Sequence, residues 1–120
     1  MEKPKANKYG AIKTEIDGIV FASKKESEMY SQLVILKNGG AIKDFECQPK
    51  FELIKKFEHR GKKYRKTEYW ADFRIINNDG SVEVWDIKPK GKYIAGRAVY
   101  SMKKKLLLSQ NPDINFKEIH

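Results

Sequence analysis

The chain is poor in the residues that staple or switch small proteins. Cys47 is its one cysteine, so no disulfide can form within it and no thiolate zinc site is available; a lone thiol suits a reducing cytoplasm. Of the two histidines, His120 reads as a surface residue, and His59 sits in a basic turn beside Arg60-Gly61 with nothing to pair it to a nucleophile or a metal. No apolar run approaches the roughly 20 residues of a membrane span, and the first residues lack a signal-peptide core. The expectation is therefore a soluble intracellular protein with no membrane partner. Acidic residues are also few, 16 against 25 lysines and arginines for a net charge of +9, and none lies between Ile87 and Pro112. Such an imbalance favours a polyanionic partner.

At 120 residues the chain forms one domain with enough length for a core, here residues 9–120 behind a flexible, lysine-rich arm at 1–8. Asp17-Gly18 splits Ala11 to Phe21 into a short hairpin. Ser23-Lys24-Lys25-Glu26 fits a capping box that opens a helix, and Gly39-Gly40 closes it. Met29, Tyr30, Leu33 and Leu36 form that helix's buried face. Ala41 to Cys47 and Phe51 to Phe57 read as extended, divided by Gln48-Pro49. Tyr64 to Ile76 and Ser81 to Lys88 pair about the turn signal Asp79-Gly80. Ala95 to Gln110 is a second helix, with Ala95, Ala98, Val99, Met102 and Leu106 on its apolar side, and Ile114 to Ile119 alternates as a last strand. The order predicts an α+β (α/β) domain with a mixed sheet flanked by helices. No internal repeat is visible.

The most informative element is Asp86-Ile87-Lys88. On a strand, residues i and i+2 share a face, so Asp86 and Lys88 emerge together while Ile87 turns to the core. The Asp79-Gly80 hairpin then brings the Asp72 strand alongside, and two carboxylates converge with an ammonium. Carboxylates that share a site repel unless a cation lies between them, and hard oxygen ligands favour Mg²⁺, with Mn²⁺ able to substitute.

Asp72, thirteen intervening residues and then Asp86-x-Lys88 resembles the PD-(D/E)XK nuclease signature, with Ala71 in the place of its proline. By itself the pattern is weak in a chain so rich in charge. Phe21 to Glu28, Phe45 to Leu53, Tyr69 to Phe73 and Val84 to Lys88 extend the likeness from about Tyr9 to Ile119. Together they resemble small phage-encoded and prophage-encoded endonucleases related to Holliday junction resolvases. The resemblance implies a restriction-endonuclease-like α-β-β-β-α-β core and Mg²⁺-dependent hydrolysis of DNA phosphodiesters at branched DNA, with 5′-phosphate and 3′-hydroxyl products. It also implies Asp72, Asp86 and the Ile87 carbonyl as metal ligands, with Lys88 positioning the attacking water. Glu26 corresponds to a helix-borne acid of the same site, and Gln48 to a glutamine near the metal. As a plain helix cap Glu26 needs no metal; the ligand role is preferred because lysines at the first two helical positions suit a helix start poorly, and Glu28 is the fallback.

Two basic clusters flank this candidate site. One comprises Lys55, Lys56, Arg60, Lys62, Lys63, Arg65 and Lys66, and the other Lys88, Lys90, Lys92, Arg97 and Lys103 to Lys105. Interleaved with Tyr64, Tyr69, Trp70, Tyr93 and Tyr100, they read as a phosphate-backbone track, with Lys62, Lys63, Arg65, Lys66, Lys90, Lys92, Arg97, Lys103 and Lys104 the expected DNA contacts. Two symmetric nicks at a four-way junction would call for a homodimer. The alternatives are a nicking or flap enzyme of the same chemistry, or a noncatalytic DNA-binding accessory protein of recombination or replication.

Overall fold

The computed structural model describes residues 13–88 and 96–120. The N-terminal arm, Lys90, Lys92, Tyr93 and Ala95 lie outside them. Among the described residues two helices and ten strands build an α+β fold. No helix is long and apolar enough to cross a membrane.

β1 (Thr14–Ile16) and β2 (Ile19–Phe21) form the expected hairpin, with Asp17 and Gly18 both at positive φ as a tight two-residue turn requires. α1 (Lys24–Asn38) starts at Ser23, whose hydroxyl accepts from the Glu26 N–H, and ends at Gly39 and Gly40; the left-handed φ of Gly40 lets Ala41 N–H close back on the Leu36 carbonyl. The buried stripe of α1 departs from expectation at both ends. Leu36 is exposed, while Glu26 and Ser27 are buried with Leu33. A carboxylate thus occupies a core-facing position.

The central sheet has the order β10-β9-β8-β3, from β3 (Asp44–Cys47), β8 (Phe73–Ile76), β9 (Val82–Ile87) and β10 (Asn115–Ile119). β3, β8 and β9 are antiparallel neighbours, and β10 returns parallel to β9 after α2 (Arg97–Gln110). One face carries Phe73, Ile75 and Ile87 against Phe21 and Leu33; the other groups Val84 and Ala71 with Leu53, Tyr69 and Leu107. Phe73 is fully buried, whereas Trp85, its partner on β9, is only partly buried.

The long strand expected from Tyr64 to Ile76 is three strands with three different partners. β4 (Lys50–Ile54) pairs with β7 (Thr67–Trp70), and β5 (Phe57–His59) pairs with β6 (Lys62–Tyr64). These ladders form the inner and outer halves of a two-stranded arm that continues from β3 and β8. A register shift between Glu52 and Ile54 bends the inner half.

Of the apolar side expected for α2, Ala98, Val99 and Met102 face outward and Leu106 packs on the core. Val99 and Met102 are more than half exposed, whereas Leu107 is fully buried and Tyr100, Lys103, Lys104 and Leu106 are partly buried. Lysine stems can cover apolar surface when their ammonium groups find partners, and Lys104 finds one in Glu118.

Candidate active site

The sheet register assembles the site. Cys47 opposes Phe73 and Phe73 opposes Trp85; the next positions set Gln48, Asp72 and Asp86 in one row, which Glu118 of β10 continues as the partner of Asp86. Backbone bonds fix this row at its weakest point, the break between β7 and β8. Gln48 N–H donates to the Asp72 carbonyl at 2.8 Å, and Asp72 N–H donates to the Trp85 carbonyl at 3.1 Å. Gln48 takes a positive φ of 53° to do so. Its side chain is exposed, so what the structure gives this residue is a backbone role in seating Asp72.

Glu26 reaches the same corner from α1. The Ser23 hydroxyl accepts from the Glu26 N–H at 3.2 Å and lies 3.0 Å from Glu26 Oε2, to which it donates. The cap thus takes the backbone N–H of Glu26 and, through Ser23, one of its carboxylate oxygens, and the carboxylate still lies close enough to Asp72 to raise its pKa. Cap and site role coexist in one residue. Glu28, by contrast, is exposed and lies 4.0 Å from Lys24.

Asp72 is held at one oxygen by the Ile87 N–H, 2.6 Å away. Burial, then the shared hydrogen bond and charge of Glu26, then the charge of Asp86 raise its pKa to about 9, against the opposing pull of the Ile87 N–H. A carboxyl so displaced marks a corner with more negative charge than its surroundings can support.

Lys88 answers only part of that charge. Its Nζ donates to Asp86 Oδ2 at 2.6 Å, lies 3.3 Å from Glu118 Oε2 and stands 3.2 Å from the centroid of the Tyr100 ring. Tyr100 donates to Glu118 at 2.8 Å, and Lys104 donates to the other Glu118 oxygen at 2.7 Å. These bonds, led by Lys104, hold the Glu118 carboxyl down at about 2. Lys25 donates to the Lys88 carbonyl at 3.1 Å, tying α1 to the end of β9. Tyr69 Oη is buried beside Asp86 but completes no hydrogen bond with a described residue; burial first, and then the Asp86 charge, push that phenol above its usual range.

Sequence reasoning thus brings together Glu26, Asp72, Asp86, Ile87 and Lys88, misses Glu118, and assigns Tyr69, Tyr100 and Lys104 to a nucleic-acid track where the structure places them against this corner. Among the described residues, no group of three or more His, Cys, Asp or Glu side chains already stands in a metal-holding arrangement. The donor chemistry of the corner nevertheless suits a hard cation. It offers three carboxylates, one of them pushed toward its neutral form by burial and then by the others, and a buried phenol with no partner among the described residues.

The expected nucleic-acid contacts divide. Lys62, Lys63, Arg65 and Lys66 are exposed on the arm and Arg97 at the start of α2, whereas Lys104 is turned inward to Glu118 and Lys103 is half-buried. A concavity of about 860 Å³ lies at the waist of the arm, lined by Glu52, Lys55, Lys56, Arg65, Lys66 and Glu68.

A family described as proteins of unknown function, DUF1064, matches residues 6–120. The chain belongs to the DUF1064 family. No curated protein and no solved structure matches it. In this DUF1064 chain the matched span contains the whole Gln48-Asp72-Asp86-Glu118 row and the arm.

Proposed function

We propose that the chain is a divalent-metal-dependent DNA endonuclease acting on branched DNA, as its resemblance to phage-encoded and prophage-encoded PD-(D/E)XK enzymes related to Holliday junction resolvases implies. The observation that carries the reading is the convergence of Glu26, Asp72 and Asp86 in one corner with Lys88 2.6 Å from Asp86, where burial first and the neighbouring carboxylates second raise Asp72 to about 9. Asp72, Asp86, the Ile87 carbonyl and Glu26 would hold Mg²⁺, or Mn²⁺ in its place. When bound, such an ion polarises a phosphodiester and lowers the pKa of coordinated water. Lys88, set by Asp86, Glu118 and the Tyr100 face, presents its ammonium where an attacking water must be oriented. The Ile87 N–H keeps one Asp72 oxygen fixed while the other stays on the Glu26 side. The exposed cations of the arm bind the phosphate backbone. Symmetric nicking of a four-way junction would take a homodimer, working in the cytoplasm of a bacterial host.

One observation favours a second reading, a noncatalytic DNA-binding accessory protein. Each carboxylate already has a protein partner, Ser23 for Glu26, the Ile87 N–H for Asp72 and Lys88 for Asp86. Incubation of labelled four-way junction, flap and linear duplex with the protein in Mg²⁺ and in EDTA separates the two. Nicking in Mg²⁺ that stops in EDTA supports the nuclease. Binding without cleavage under both conditions supports the accessory protein and removes the nuclease reading.

A further inference from the structure

The arm's outer half leaves apolar surface uncovered in an unusual way. Phe57 and Tyr64 face each other across β5 and β6 with ring centroids 4.8 Å apart and planes 7° from parallel, yet they are 50% and 39% exposed. All six residues of the two strands are exposed, and β5 and β6 pack chiefly on one another. The Lys62 ammonium lies 5.2 Å from the Tyr64 centroid, and His59, opposite Lys62, shares that face. A second concavity of about 300 Å³ runs along Lys56, Phe57, Glu58, Lys63 and Tyr64, and shares Lys56 with the larger one at the waist. From Lys55 to Lys66 seven residues are basic and one is acidic.

The turn adds a further sign. The first hairpin reverses through Asp17-Gly18, residues that tolerate positive φ, but this one uses Arg60 at φ 48° followed by Gly61 at 79°. A long cationic side chain is held at the tip in a conformation it rarely adopts.

We propose that the β5–β6 tip is a stacking platform for unpaired DNA. The Phe57–Tyr64 pair receives bases, and the cations of the adjoining concave surface, Lys55, Lys56, Arg65 and Lys66, follow the sugar-phosphate backbone. Flat rings and cations together suit single strands, because a base can stack only where it has left its own duplex, and every base offers a π face. Two-stranded geometry places Tyr64, eight residues before Asp72, at most about 26 Å along the arm from it, at roughly 3.3 Å per residue. That is within one branch point of the cleavage site. The inference rests on the reading of the chain as a DNA-acting protein and gives it a selectivity element: the arm recognises the unpaired strand, the corner cuts nearby.

The test is fluorescence anisotropy of the full chain with a labelled oligo-dT strand and with a blunt duplex of equal length, both in EDTA. Wild type is expected to bind the single strand more tightly at matched salt. Phe57→Ala with Tyr64→Ala should weaken single-strand binding roughly tenfold or more and leave duplex binding within about twofold, while Phe57→Tyr and Tyr64→Phe stay near wild type. Equal loss on both probes, no loss, or a duplex preference by wild type overturns the platform. So does a change in sedimentation from dimer to monomer without loss of binding, which would make the pair a contact between two copies. Junction cleavage in Mg²⁺ is scored separately. Cleavage with the platform result absent removes the platform alone, and the platform result without cleavage removes the nuclease alone.

Discussion

The Lys88 ammonium stands 3.2 Å from the centroid of the Tyr100 ring, on the face of a phenol that itself donates to Glu118. Helix α2 and strand β10 therefore grip one lysine from two sides, and its third contact is Asp86. A lysine held this way has little rotational freedom left, and losing it leaves buried Asp86 without its counter-ion, so Lys88→Ala should lower the melting temperature as well as the rate. Lys88→Ala is expected to lower single-turnover cleavage by about 10²–10⁴-fold. Lys88→Arg should not restore it, since a planar guanidinium cannot occupy the same point above the ring. Wild-type rates for Lys88→Ala would reduce this lysine to a structural counter-ion.

Glu118 and Tyr100 act through Lys88 rather than on substrate. Glu118→Gln should lower kcat about tenfold with KM little changed, and should shift the pH profile of kcat as the lysine loses an anionic partner. The thermal midpoint should fall as well, because Lys88 and Lys104 both lose charge-assisted bonds, each worth about 1.5–3 kcal/mol. An unaltered pH profile with a lowered midpoint would leave Glu118 a purely structural ion pair.

Asp72→Asn replaces a carboxyl that burial and its neighbours force to take up a proton on folding with an amide that is neutral from the start. The variant should abolish cleavage, bind junction DNA as well as wild type or better, and melt at a higher temperature in EDTA. Asp86→Asn should also lose cleavage, but it takes the partner from Lys88 and should melt lower. The opposite signs of the two melting shifts, read by calorimetry, are the check.

Glu26→Gln should melt no lower than wild type, because the helix cap uses the Glu26 N–H, which glutamine keeps, and the corner around Asp72 loses a negative charge. The Mg²⁺ concentration for half-maximal cleavage should rise, since an amide cannot replace an anionic ligand for a hard cation. Normal cleavage at unchanged Mg²⁺ would confine Glu26 to the cap.

Replacement of Lys62, Lys63 and Lys66 by alanine should weaken duplex-junction binding and flatten its salt dependence, by about 0.9 in the log-log slope for each phosphate that is no longer neutralised. An unchanged slope would move the backbone track to the Arg97 end of α2.

Local chemistry made much of this fold legible. Asp17-Gly18, Ser23, Gly39-Gly40 and Asp79-Gly80 mark boundaries that depend only on a few neighbouring residues, and the period-2 reading of Asp86-Ile87-Lys88 puts Ile87 in the core and its neighbours in the site. The β5–β6 hairpin was hidden because Arg60 is a poor advertisement for a left-handed turn. The outward roll of α2 was hidden because hydropathy favours Val99 and Met102 over Lys104, whose burial depends on an acid fourteen residues later. Glu118 itself alternates correctly on its strand, but its place beside Asp86 follows from parallel pairing across α2, which no local pattern encodes.

That parallel return sets an order of events. The arm arises from ladders between residues close in the chain, whereas the Lys88 clamp waits for β10 to cross back over α2 and dock, the slower kind of contact to form. During synthesis the protein would gain its grip on a polyanion before it gains the oriented lysine. A half-made chain carries the cations of the arm but not yet the oriented lysine.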